Sequence, residues 1–218
     1  WQNSQGIPGG ISGTVTTGST LVLNGGSVTF YYYCDRSLGD GPGQISIPGG
    51  NSGFSIAQGD AQSNSWDVGN GTTFELVWGS THFNPEVFVL SDVSTNPATN
   101  FKMANPFDLN GADRTINTSS TALGYQNKGT GGILNGVIRN SSDTSAGIVK
   151  TGAGNLTLGA LNTYDGDTTI SDGWLHLDQA SLSDNANIYL SSTGNLTLDH
   201  GSTDSIFRLF INGVSVAT

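Results

Sequence analysis

Five residues occur twice in this chain in the same order, Gly154-Asn155-Leu156-Thr157-Leu158 and Gly194-Asn195-Leu196-Thr197-Leu198. Midway between them stands a third stretch of the same form, Gly173-Trp174-Leu175-His176-Leu177. A unit of roughly 20 residues cannot bury its own apolar face, so a repeat of that period has to stack on its neighbours as a solenoid. Within each copy the alternation sends both leucines to one face of an extended strand and the residue between them to the other. Thr157, His176 and Thr197 are therefore expected on the outside.

Aligning the second half at this period gives two columns of strands. One holds Thr115-Ile116, Val137-Ile138, Leu156–Leu158, Leu175–Leu177 and Leu196–Leu198. The other holds Ile148-Val149, Thr168–Ile170, Ile188–Leu190 and Phe207–Leu209. Parallel strands stacked at ~4.8 Å let each coil hydrogen-bond the next, and roughly ten coils make a rod of about 50 Å. The fold class expected is all-β, a parallel β-helix with coils of about 20 residues. Residues 101–218 form its regular part. Residues 1–100 are also strand-rich, at Leu21–Leu23, Val28–Phe30, Ile45–Ile47, Phe54–Ile56, Phe74–Leu76 and Val87–Leu90, but their spacing is looser. They read as irregular first coils with one long loop at Gly39–Gly50. A separate small β domain over residues 1–90 is the alternative.

Composition narrows the function classes. Only 11% of the 218 residues are charged, and the net charge is −10 with seven Lys and Arg. Phosphate contacts require a basic stripe, which is missing, so nucleic acid is not an expected partner. No apolar run is long enough to span a bilayer as a helix, and no membrane insertion is expected in this segment. One cysteine, Cys34, excludes an internal disulfide and a thiolate zinc cluster. The chain opens at Trp1 without an initiator Met or a leader, which reads as a processed protein or a fragment.

The run Lys150-Thr151-Gly152-Ala153-Gly154-Asn155-Leu156-Thr157-Leu158, with Asn162-Thr163-Tyr164-Asp165-Gly166, Thr168–Ile170 and Gly173–Leu177 after it, resembles the autotransporter-associated β-strand repeat, also called the passenger-associated transport repeat. The resemblance is carried by Lys150, Gly152, Gly154, Leu156, Leu158, Asn162, Tyr164, Gly166, Ile170, Gly173, Leu175 and Leu177. It is strong over about thirty residues and softer across roughly 83–218. It implies a right-handed parallel β-helix on the bacterial cell surface or in the extracellular space. No membrane barrel follows within these residues, which departs from the autotransporter pattern.

Candidate chemistry is weak beside this. A polysaccharide lyase needs carboxylates gathered around a basic residue, and none of the seven cations lies near an acidic cluster in sequence. Lys150 and Arg114 read as structural parts of the repeat. Asp165 and Asp167 are the weak calcium candidates, because Asp-x-Asp in a Gly-rich turn offers oxygen ligands; turn formation explains them better. No other cofactor is expected. His82, His176 and His200 are dispersed, and the Asn-x-Ser/Thr sequons coincide partly with the repeat itself. Trp1, Tyr31, Tyr32, Tyr33 and Trp66 are candidate interface aromatics. The expected function is a non-enzymatic structural or adhesive solenoid that associates head to tail into a filament or binds surface glycans. The alternatives are a carbohydrate-active β-helix enzyme and a glycan-binding module.

Overall fold

Backbone hydrogen bonding between successive coils organises the molecule into three sheets and no helix among the described residues. The computed structural model describes residues 20–30, 35–56, 65–68, 74–92, 100–120 and 131–216. The first sheet has nine strands: β1 (Leu21–Phe30), β3 (Ile45–Ile56), β6 (Val87–Asp92), β9 (Arg114–Ser120), β12 (Ile148–Thr151), β14 (Thr168–Ile170), β16 (Asn187–Leu190), β18 (Arg208–Ile211) and β19 (Val214–Val216). The second has seven: β2 (Asp35–Arg36), β4 (Ser65–Val68), β7 (Asn100–Met103), β10 (Gly131–Leu134), β13 (Asn155–Leu158), β15 (Gly173–Leu177) and β17 (Gly194–Leu198). The third has three short strands, β5 (Leu76–Val77), β8 (Phe107–Asp108) and β11 (Ile138–Arg139). Every pairing between named strands is parallel except β18 with β19. The chain is a parallel β-helix.

Register explains which residues face inward. Phe101, Gly132, Leu156, Leu175 and Leu196 form one column, and Met103, Leu134, Leu158, Leu177 and Leu198 another. On the facing sheet the step is regular from Ile148, with Thr168 and Ile188 stacked on it at 20-residue intervals. Upstream the partners Asn51, Val87, Thr115 and Val149 are 36, 28 and 34 residues apart, so the earlier coils are larger. Aromatic rings fill the interior there. Phe88 meets Trp78, Phe83, Phe54 and Phe107 at centroid distances of 5.4 to 6.1 Å, and Phe54 stacks on Phe101 at 5.9 Å. The interior polar tip is matched as well, since Trp78 Nε1 donates to the Pro85 carbonyl at 2.8 Å.

Several details of the sequence reading change. Thr115-Ile116 does not precede Leu156–Leu158; it pairs with Val149-Lys150 in the other sheet. Ile138 belongs to the third sheet, opposite Phe107. The true neighbour of Leu156 is Gly132, which escapes a search for Leu-x-Leu. Gly39–Gly50 is not a long loop either, because its second half lies in β3. There the register steps from Val22–Ser46 to Asn24–Gly49, and this irregularity accommodates Pro48, which has no N–H for the ladder. Thr157 and His176 lie between inward leucines yet are themselves buried. Trp1, Tyr31, Tyr32, Tyr33 and Cys34 lie outside the described residues, as does the side chain of Trp66.

Phe88→Ala removes the ring at the centre of the aromatic core and is expected to lower stability by about 3–5 kcal/mol. Urea titration checks this; a loss under ~1 kcal/mol would mean that the rings do not pack as one core.

Candidate functional site

A coil corner is where the ladder breaks, because carbonyls that leave one sheet have no strand partner until the next begins. Lys150 solves this at the start of the repeat. Its register partners are Ile116 and Ile170, both core residues, so the lysine points inward and is fully buried. From inside, Nζ donates to the carbonyls of Thr151 at 2.9 Å, Gly152 at 2.6 Å and Asp172 at 2.9 Å. All three hydrogens of the ammonium are used, and two successive coils are joined. Burial pulls the Lys150 pKa down to about 8, against the opposing pull of Asp172. Gly152 and Gly173 flank the clasp at φ of 78° and 69°, a conformation that side chains resist.

The next corner is held by Asn162 and Tyr164. Asn162 Oδ1 accepts from the Ile138 N–H of the preceding coil at 2.8 Å, and its amide donates to Ala160 O at 3.1 Å. Tyr164 is buried, with its hydroxyl 2.8 Å from Thr168 Oγ1, and burial pushes its pKa up to about 12. The same device recurs outside the repeat. Asn105, fully buried, accepts from Val68 N and donates to Val68 O and Phe74 O. Asp204 accepts from the N–H groups of Ser181 and Leu182.

On the third sheet, residues 64 apart in sequence meet. Arg139 makes a two-pronged contact with Glu75, at 2.5 and 2.6 Å, and its Nη2 lies 3.1 Å from Asp108. Asp108 also accepts from the N–H groups of Asn110 and Ser141 and from the Ser141 hydroxyl. Burial raises the Asp108 pKa, but Ser141, Asn110 and Arg139 outweigh it and leave the carboxyl below its ordinary value. The Glu75 hydrogen bond raises the Arg139 pKa in turn. Sequence reasoning found no cation near an acidic cluster; the structure supplies one, by making Asp108 and Arg139 register partners in two-residue strands that leave no pattern in the sequence.

The fold, the interior lysine and the Asn-Thr-Tyr corner stand together over one stretch, and that stretch matches the passenger-associated-transport-repeat family model at residues 148–177. No curated protein and no solved structure matches the chain.

In the repeat's Tyr-Asp-Gly-Asp turn the two carboxylates address different coils. Asp165 accepts from Asn140 Nδ2 at 2.9 Å and Ala146 N at 3.2 Å, in the preceding coil. Asp167 accepts from Asn187 N at 2.7 Å, in the following one. Gly166 between them leaves no room for a side chain, because a Cβ would lie 2.3 Å from the Ala146 carbonyl carbon. Among the described residues no three His, Cys, Asp or Glu side chains are grouped to hold a metal ion. His176 Nδ1 sits 3.2 Å from Asp199, one coil on, and its ring stacks on Trp174. His82 Nδ1 lies 3.4 Å from Asp40, and His200 Nε2 is 4.0 Å from Asp204. Tyr189 and Phe210, which sequence reasoning did not single out, stack at 4.8 Å on the outward column from Val149 and Thr169. Their faces are turned on each other along the stack.

Two pH dependences follow. The unfolded chain keeps Lys150 protonated up to its ordinary 10.5, whereas the folded chain releases the proton near 8. Between these values the unfolded state binds more protons, so stability rises with pH. Relative to Lys150→Met, the native chain is expected to gain about 2–3 kcal/mol between pH 8 and 10 in denaturant titrations; parallel curves would refute the buried clasp. Asp108 behaves in the opposite range. Its depressed folded pKa contributes stability that is present above the ordinary 3.8 and lost as pH falls through the folded value. Melting curves below that pH should fall more steeply for the native chain than for Asp108→Asn.

Proposed function

We propose that this chain is a load-carrying structural segment of a bacterial surface or secreted protein, a non-enzymatic β-solenoid that presents shallow polar contacts along its length. The observation that carries the reading is where its reactive groups are spent. Lys150, Asn105, Asn162, Asp165, Asp167, Asp204 and the Glu75–Arg139–Asp108 group all bind one coil to another. The repeat at 148–177 supports the surface or secreted setting. Adhesion in this reading is multivalent, with many weak sites on one stiff support.

The carbohydrate-active alternative draws on the two carboxylates and the arginine on the third sheet. Proton abstraction needs a group free to accept a proton. Here Arg139 is neutralised by both carboxylates, and Asp108 takes four hydrogen-bond donors. The glycan-binding alternative needs exposed ring faces, and the Tyr189–Phe210 pair offers its edges.

Two measurements test the reading. Protease shaving of intact cells should release the chain if it stands at the surface. Purified protein should give no turnover across polyuronates and neutral glycans. Turnover abolished by Asp108→Asn or Glu75→Gln would replace the structural reading with the enzymatic one.

A further inference from the structure

Arginine carries its N–H donors in a fixed fork, and Arg114 spends only part of that fork on the fold. Its Nε donates to the Leu109 carbonyl at 2.9 Å, and its guanidinium lies over the Trp78 ring. Burial lowers its pKa, and no carboxylate opposes that effect. In a chain with 17 Asp and Glu against seven Lys and Arg, a cation without a carboxylate needs a reason. The carboxylates around it are committed elsewhere. Asp108 and Glu75 are held by Arg139, and Asp113 accepts from the Gly147 N–H at 2.7 Å. Glu86, its neighbour in the preceding coil of the first sheet, makes no ion pair with it.

The unused edge of the fork meets a second donor over one glycine. Gly79 stands at φ 84° in the turn that the Ser80 N–H closes on the Val77 carbonyl. It is exposed, and the lack of a side chain leaves the approach open. A Cβ there would lie 3.5 Å from Asn110 Nδ2 and 3.7 Å from Arg114 Nη2. Among the described residues, nothing else outside its chain neighbours comes within 4 Å of that point. Asn110 Nδ2 is aimed by the Trp78 carbonyl at 3.0 Å, which uses one of its two hydrogens. Its backbone N–H is fixed on Asp108. Stacking sets the arrangement, because Val77 and Asp108 are register partners and carry Gly79 and Asn110 two residues on. Two N–H donors, one of them charged, thus border one small open space. That pattern fits the two oxygens of a planar anion.

We propose that the space over Gly79 is a binding subsite for the carboxylate of an acidic sugar, held by Arg114 and Asn110. Charge selects a monoanion, because the chain carries −10 and its repulsion grows with the charge of the ligand. A doubly charged phosphate ester meets twice the opposing field. A peptide carboxylate would bring apolar side chains that need a pocket of their own. Trp78 and Phe83 are buried, and the surface beside Gly79 is made by Ser80, Thr81 and Asn110. Hydroxyls and an amide match the hydroxyls of a sugar ring. One charged contact on an open surface gives weak binding, with dissociation near ~1 mM. The proposal rests on the adhesive part of the reading above and names one of its weak contacts.

Titration of the 218-residue chain with galacturonate, followed by amide NMR, tests it. The Gly79 N–H and the Asn110 side-chain amide should shift and saturate, and added salt should weaken the binding. Galactose and acetate should each bind at least about tenfold more weakly, and inorganic phosphate no more tightly than galacturonate. Arg114→Gln should cost at least about tenfold in affinity. Because Arg114 also covers Trp78, Gly79→Asn is the second variant. Asparagine tolerates a left-handed φ, and its side chain fills the space, so binding should be lost with circular dichroism unchanged. Binding that survives Gly79→Asn, equal affinity for galactose or acetate, or tighter binding of phosphate would each overturn the proposal. Protease release of the chain from cells without galacturonate binding would remove this proposal and leave the surface reading standing.

Discussion

Everything in this solenoid depends on satisfying the backbone where a coil turns a corner. Along the strands the ladder takes care of itself, since each N–H and C=O meets the adjacent coil. At the corners the groups turn inward or sideways, and a buried polar group without a partner costs about as much as a lost hydrogen bond. The chain answers with side chains that reach across one coil. A lysine supplies three donors from inside, asparagines supply both donor and acceptor, and aspartates accept the stray N–H groups. An Asp- and Asn-rich, Lys-poor composition follows from this division of labour.

The same constraint explains why the two halves have different interiors. Where the coils advance by 20 residues, the interior is mostly Leu and Ile, with Tyr164 and Lys150 buried among them. Where the coils advance by 28 to 36 residues, the enclosed section is filled by Trp78 and five phenylalanines. Arg114 rests over the Trp78 ring at 5.5 Å, at the margin of this aromatic region, and burial lowers its pKa. Both interiors serve one continuous nine-stranded sheet.

Legibility in the sequence followed the constancy of the spacing. From Ile148 onward most strands and their stacking could be read directly, because Ile148, Thr168 and Ile188 keep the interval without insertion. Even so, Thr157 and His176 are buried where alternation put them outside, and Ile188 pairs with Leu209, two residues past Phe207. Upstream, variable excursions erase the period, and an inward glycine such as Gly132 hides a strand from a search for apolar pairs. Two strands of the third sheet were flagged, at Phe74–Leu76 and Val137-Ile138, but two-residue strands carry no pattern that assigns them to a sheet of their own. Lys150 was readable as structural but not as interior, although its place two residues after Ile148 puts both on one face. Arg139 and Glu75 had no local signal at all. Their contact exists only once three coils are stacked.

That last contact changes how the molecule comes apart. Stacked repeats are usually treated as a row of units, each coupled only to its immediate neighbours, so that a boundary between ordered and melted coils can rest anywhere. Arg139 reaches past the coil of Asp108 to the coil of Glu75. A second-neighbour coupling of this kind makes the boundary costly at two consecutive positions, so these coils order or melt as one block, a cooperative unit longer than the repeat that defines the rest of the chain.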